Sequence, residues 1–336
     1  MPASPNTRLG ISKAIRESPA SRISWVLRVL PTNRFAPEYI QLESTTKCNM
    51  KCKTCIRSEK DNYDMDLDFF KSIIDQLHWS RFGTLQVDLT GVGEPLLNPN
   101  LVSMVEYAKR GGFKVGFTSN LTTLNEIMAE ELVNTNLDYL YVSFDGATKE
   151  TFEKLRVGAD FEKVVSNIEM FLKKRSERKR SRPLVKLTAT ISYDNSNEIL
   201  GLIKIAGDLK VNSINFNRQI IPGKEHWKHD FHPVTVWKHR PRTSVEIGRM
   251  AIPLRRPQPC VALKGCYVTY DGRVLPCNSL IQILARKEYH RVQVGDLKQN
   301  TLDEIWFSKN YRLFRTHLAL GRRPFYCNYC PRPYQM

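Results

Sequence analysis

From residue 39 onward, short β-rich runs alternate with longer amphipathic stretches. The runs Tyr39–Glu43, Leu85–Thr90, Lys114–Thr118, Tyr139–Phe144, Lys186–Ile191 and Ser213–Asn217 are bounded by turn residues and predict strands. Between them, apolar positions recur at helical spacing near Asp66–His78, Asn100–Arg110, Leu124–Val133, Phe161–Arg175 and Glu198–Leu209. Strand and helix in alternation with short joins make a parallel sheet with right-handed crossovers. Six such units predict an α/β fold, an open, partial (β/α)6 TIM-like barrel over 38–222.

Three stretches fall outside this rhythm. Residues 1–37 carry six basic side chains against one acid, with an apolar clump at Trp25–Leu30. They read as a basic extension that lies on anionic lipid, packs on the barrel or stays partly disordered; a transit peptide has a similar composition. Residues 223–259 hold eight Lys/Arg against three acids, and four of the seven histidines. His226, His229 and His232 have no carboxylate or cysteine partner at ligand spacing, so the segment reads as a basic linker or lid. Residues 260–336 predict a small α+β module. Tyr267–Pro276 reads as a hairpin on a two-residue Asp271-Gly272 turn, and Thr301–Leu318 as a helix opened by a capping box of Thr301 and Glu304.

Candidate chemistry begins directly after the first strand. Cys48-x3-Cys52-x2-Cys55 places three thiols within eight residues, and no histidine or fourth cysteine lies near. A structural zinc site closes with four ligands. Three thiolates on one loop suit a [4Fe–4S] cube better, with one iron left open. The working face of such a barrel lies at the carboxyl ends of the strands. The next three strand ends carry Gly91-Val92-Gly93-Glu94, Ser119-Asn120 and Ser143-Phe144-Asp145-Gly146.

This set of motifs resembles the radical S-adenosylmethionine (radical SAM) enzymes. The position before the third cysteine, often aromatic there, is Thr54. The resemblance implies that Cys48, Cys52 and Cys55 hold a cluster whose open iron chelates SAM, and that one electron cleaves SAM to a 5′-deoxyadenosyl radical. It further implies that Gly91, Gly93 and Glu94 meet the amino group of SAM, and that Ser119, Asn120, Ser143 and Asp145 line its ribose and methionine ends.

The C-terminal cysteines carry a second resemblance. Cys260-x11-Gly272-x4-Cys277, followed by Cys327-x2-Cys330, is similar to the SPASM/twitch modules appended to many radical SAM enzymes. No further cysteine follows the last pair, which implies the twitch form: one auxiliary [4Fe–4S] cluster on Cys260, Cys277, Cys327 and Cys330. Four thiolates leave no obvious open iron, so electron transfer is its expected role. Cys266 is left over. On a two-residue turn it would face Cys277, and three readings stand: a buried packing residue, a ligand in place of Cys260, or a hydrogen donor to a substrate radical.

Composition limits the remaining choices. No run of 18 apolar residues occurs, and the first residues lack the apolar core and cleavage site of a signal peptide, which together predict a cytoplasmic protein, peripheral to a membrane only if residues 1–37 touch lipid. Two tight cysteine groups in so long a chain favour metal over disulfide. The net charge of +17 favours anionic partners. The basic run at 173–182 reads as a solvated helix end or an anion patch; it lacks aromatics to stack bases, so nucleic acid is not expected.

The expected activity is hydrogen abstraction from an anionic small molecule: a sugar, a phosphorylated compound or a lipid-linked one. An external donor such as flavodoxin or ferredoxin would supply the electron. A peptide maturase with a separate peptide-binding partner, an epimerase using Cys266 and a tRNA-modifying enzyme are the alternatives. Only 47 residues precede Cys48, too few for an internal peptide-recognition domain on that side. An iron–sulfur protein without SAM chemistry is disfavoured by the four strand ends.

Overall fold

The computed structural model describes residues 37–55, 62–78, 85–219, 234–237, 260–320, 322 and 327. The basic extension, His226, His229, His232 and Cys330 lie outside the described residues.

Six strands run parallel in chain order: β1 (Tyr39–Leu42), β2 (Gln86–Asp88), β3 (Lys114–Ser119), β4 (Tyr139–Ser143), β5 (Leu184–Ile191) and β6 (Ser213–Arg218). Their crossovers hold α1 (Leu67–His78), α2 (Leu101–Arg110), α3 (Glu126–Asn134), α4 (Lys149–Leu155), α5 (Phe161–Glu177) and α6 (Ile199–Asp208). Side chains alternate across each strand. Ile40, Val87, Phe117, Leu140, Leu187 and Ile214 join the helices' apolar faces in one buried core. The opposite face is polar: Gln41, Asp88, Thr118, Tyr139, Tyr141 and Lys186 form the inner wall of the open barrel.

The helix starts are written locally. Asn125, Thr148 and Asp160 cap α3, α4 and α5 through their side-chain oxygens. Phe117, fully buried on β3, anchors the core between sheet and helices. We expect Phe117→Ala to lower unfolding stability by about 3–5 kcal/mol, read from the denaturation midpoint, with Phe117→Leu far milder.

The structure departs from the sequence reading in several places. The seven-residue α4 is unpredicted, because two turns show too little periodicity. β7 (Val234–Trp237) pairs antiparallel with β6, so the segment expected as linker or lid contributes an edge strand. The C-terminal residues do not stand apart: β8 (Gly265–Val268) pairs parallel with β1, and β9 (Arg273–Leu275) and β10 (Gly295–Asp296) extend the same ten-stranded sheet. The predicted helix Thr301–Leu318 is two, α8 (Leu302–Trp306) and α9 (Lys309–Ala319), after the four-residue α7 (Leu280–Ile283). Thr301 and Glu304 form the expected capping box, but Ser308 caps Tyr311 and starts a second helix.

The hairpin register is also shifted by one. Tyr267 faces Leu275 and Val268 faces Val274, and Thr269 N–H reaches Arg273 O around a three-residue loop. Continuing outward, Cys266 comes opposite Pro276, not Cys277. One residue of slip moves a side chain to the other face. Within the basic run 173–182, Arg178 pairs with Glu130, Arg180 donates to Val133 O at 3.1 Å, and Arg182 reaches Asp138 at 2.5 Å.

Candidate active site

The loop after β1 is fixed by its neighbours before any cofactor is considered. Lys47 Nζ pairs with Asp64 at 2.6 Å, and Thr45 Oγ1 donates to the same carboxylate. Glu94 N–H donates to Lys47 O at 2.6 Å, Lys51 N–H to Val157 O and Lys53 N–H to Leu155 O. The loop is thus bonded to the segments that follow β2 and α4. At Gly93 a Cβ would lie 2.5 Å from both Lys47 O and Thr45 O, so only glycine lets the two backbones meet.

Cys48 and Cys52 are half-buried and Cys55 is exposed. Burial pushes the Cys52 thiol up to about 11, against the pull of the Arg156 cation and with Cys55, Asp145 and Cys48 adding repulsion. Cys48, Cys52 and Cys55 are three soft sulfur donors carried on one short loop. Among the described residues no three His, Cys, Asp or Glu side chains converge on a single-ion site. That donor chemistry fits a cluster whose thiolates spread around a cube better than one zinc.

Glu94 is buried, and both its oxygens are engaged. Ser119 Oγ donates to Oε1 at 2.6 Å and the Asn120 amide to Oε2 at 2.6 Å. Burial raises its pKa, opposed by the hydrogen bonds from Asn120, Ser119 and Leu96. Asn120 Nδ2 reaches Asn49 Oδ1 at 3.0 Å, joining this group to the cysteine loop. Ser143 stands half-buried at the end of β4. Asp145 turns instead to Arg156, at 2.6 Å, and to the Thr190 amide, at 2.6 Å.

Arg156 is the residue that sequence reading missed. It is buried, and it interacts electrostatically with Asp145, Cys52 and Glu94 together. Its Nε is a buried donor without a hydrogen-bond partner. A thiol, two carboxylates and a buried guanidinium in one electrostatic group suit a zwitterionic ligand such as SAM. No local signal marks Arg156, which follows an unpredicted helix.

In the C-terminal module, Cys266 and Cys277 pack in different clusters. Cys260 precedes a 3-10 turn at Val261–Leu263, and Cys277 packs against Tyr267 and Leu275. Cys327 is half-buried. Cys266 lies in the main core at 2% exposure, where burial pushes its thiol up to about 12, with Arg315 opposing. No helix among the described residues is long and apolar enough to cross a membrane.

Comparison with known proteins gives the family. Residues 42–207 match the radical SAM superfamily, and residues 260–331 match the SPASM iron–sulfur cluster-binding domain. The chain is 25% identical, over 83% of its length and 83% of theirs, to the tungsten-containing aldehyde ferredoxin oxidoreductase cofactor-modifying protein of Pyrococcus furiosus. It is 25% identical to the PqqA peptide cyclase of Gluconobacter oxydans, over 88% of this chain and 83% of that one. Streptococcus suis SuiB bound to the precursor peptide SuiA superposes with a TM-score of 0.62 at 12% identity, covering 83% of this chain and 66% of SuiB. Native anSMEcpe with bound AdoMet and Cp18Cys peptide does so at 0.62 and 17% identity, over 88% of each. These structures share the fold, a partial TIM barrel. The chain therefore belongs to the radical SAM superfamily: it is an enzyme that uses SAM and a [4Fe–4S] cluster and carries a C-terminal SPASM domain for further iron–sulfur chemistry.

Proposed function

We propose that this enzyme modifies a peptide inside its open barrel. The observation that carries the proposal is the relationship to a peptide cyclase along 88% of the chain. It favours a peptide over the anionic small molecule expected from sequence. That second reading keeps one support of its own, the equally similar cofactor-modifying relative.

The working parts are assigned residue by residue. Cys48, Cys52 and Cys55 hold the SAM cluster; Gly91, Gly93, Glu94, Ser119, Asn120, Ser143, Asp145 and Arg156 hold SAM. Cys260, Cys277, Cys327 and Cys330 hold the auxiliary cluster, and Cys266 packs the core. The units are a barrel at 38–222 and a cluster module at 260–336, with an extension at 1–37 and a connection at 223–259. Once bound, the reduced cluster and SAM supply the radical that takes hydrogen from the substrate. An external one-electron donor, a flavodoxin or ferredoxin, serves the first cluster.

The inner wall favours a polar, acidic substrate segment. Lys186 Nζ donates to Tyr141 Oη at 3.3 Å and lies over the Tyr141 ring, 5.0 Å from its centre. Asp88 and Tyr139 stand on the same wall, with Asp88 pushed up to about 6 by burial. A hydrogen bond to a charged group contributes about 1.5–3 kcal/mol. Lys186→Met should therefore raise KM for the peptide roughly ten- to a hundredfold at unchanged kcat. Added salt should weaken the wild-type enzyme more than the variant.

The deciding experiment is anaerobic reconstitution with SAM and dithionite, offering acidic precursor peptides and a metabolite pool in parallel. Peptide modification by mass spectrometry, with matching 5′-deoxyadenosine, is the expected result. Turnover driven by the metabolite pool alone would reject the peptide reading.

A further inference from the structure

Glu43 follows β1, five residues before Cys48, and is fully sealed from water. A buried carboxylate persists only when paired and hydrogen-bonded. Glu43 is met by five donor groups. Arg286 grips it with both terminal nitrogens, at 3.1 and 3.0 Å. Tyr267 Oη donates at 2.9 Å, Tyr270 N–H at 3.1 Å and Val92 N–H at 3.4 Å.

These donors come from two separate places. Tyr267, Tyr270 and Arg286 belong to the C-terminal module, and Val92 lies within the Gly91–Glu94 turn. The turn also packs directly on Glu43, since a Cβ at Gly91 would lie 2.5 Å from Glu43 Cγ. A third contact reaches the cysteine loop. The Arg286 guanidinium lies over Tyr270 at 5.2 Å; Tyr270 stacks on Tyr63 at 5.0 Å with rings 3° from parallel. Tyr63 O in turn accepts the Thr46 amide at 2.8 Å. One carboxylate thus bonds the glycine turn to the C-terminal module, and the ring stack continues to the root of the cysteine loop.

We propose that Glu43 is a positioning residue that couples SAM affinity at the Gly91–Glu94 turn to the integrity of the C-terminal cluster module. The proposal rests on the assignment of that turn to SAM. When the module is intact, Arg286 and Tyr267 hold the carboxylate in the pose that Val92 and Gly91 pack against. When the module loosens, the carboxylate loses these partners and the turn loses its support. The second cluster region would then act on the first through packing as well as through electrons.

The test uses the full-length, reconstituted protein, with iron content and SAM Kd measured together. Glu43→Gln and Arg286→Met should keep the iron of the first cluster and raise SAM Kd about tenfold, within the usual range of site–site coupling. kcat at saturating SAM should change little. The double variant should be no worse than either single one, because both remove the same contact. Cys277→Ala should raise SAM Kd in the wild-type background but not in Glu43→Gln. If Glu43→Gln fails to fold, Tyr267→Phe removes one hydrogen bond without uncovering a charge, and should shift Kd about threefold in the same direction. An unchanged Kd, or additive shifts, would overturn the coupling. Glu94→Ala separates the two levels: if it also leaves SAM Kd unchanged, the assignment of the turn has failed, whereas a raised Kd there beside a normal Kd in Glu43→Gln defeats the coupling alone.

Discussion

Cys52→Ala should abolish 5′-deoxyadenosine formation while leaving the protein folded. Cys52 sits outside the main core, on a loop whose backbone is held by Val157 O and Leu155 O rather than by its own side chain. Losing the sulfur therefore leaves the clamp intact, and far-UV circular dichroism should match wild type. Two thiolates cannot retain a cubane that three barely saturate, so iron should fall by about four atoms per chain. With no iron site for SAM, reductant should yield no 5′-deoxyadenosine above background. Equal turnover in the variant would sink the assignment of the first cluster.

Cys260→Ala and Cys266→Ala should differ sharply, although the two residues are neighbours in sequence. Cys260→Ala should lose about four irons from the auxiliary site and leave reductive SAM cleavage measurable. Cys266→Ala should keep its full iron content. Its thiol lies across the sheet from the face on which Cys277 packs, held in the core at an elevated pKa that keeps it protonated. Removing one buried sulfur should cost about 1–2 kcal/mol of stability, and product formation should continue. A Cys266→Ala protein that cleaves SAM but accumulates no finished product would instead revive the hydrogen-donor role. Loss of the second cluster in that variant would make Cys266 its ligand.

Much of the barrel was legible because its signals are local. Each strand is a short β-rich run, each long helix shows its apolar stripe, and several of the helices announce their starts with a capping side chain. The candidate cofactor residues could be grouped for a related reason: parallel topology alone carries all strand ends to one face. Cys48, Glu94, Ser119 and Asn120 could thus be grouped from sequence, and the hydrogen bonds of Glu94 to Ser119 and Asn120 join three of them.

Other features depend on which segments meet, and no local pattern records that. Arg156 follows a helix too short to show periodicity, and its value lies in its neighbours Asp145 and Cys52. Glu43 reads as one more polar residue at a strand end; its importance comes from Arg286, 243 positions away. The hairpin register was misjudged because Asp-Gly permits both a two-residue turn and a longer loop, and the hydrogen bond of Thr269 to Arg273 chose the latter. The attachment of β8 to β1 was likewise invisible, since an edge strand offers its backbone to any partner. The sequence by itself determined the alternation of elements, the two cysteine groups and the face on which the chemistry gathers, because periodicity and motif spacing are properties of neighbouring residues. Only the tertiary structure decided that the C-terminal module continues the barrel's own sheet and that Glu43 and Arg156 stand at its junctions, because a buried charge acquires its meaning from the groups that surround it in space.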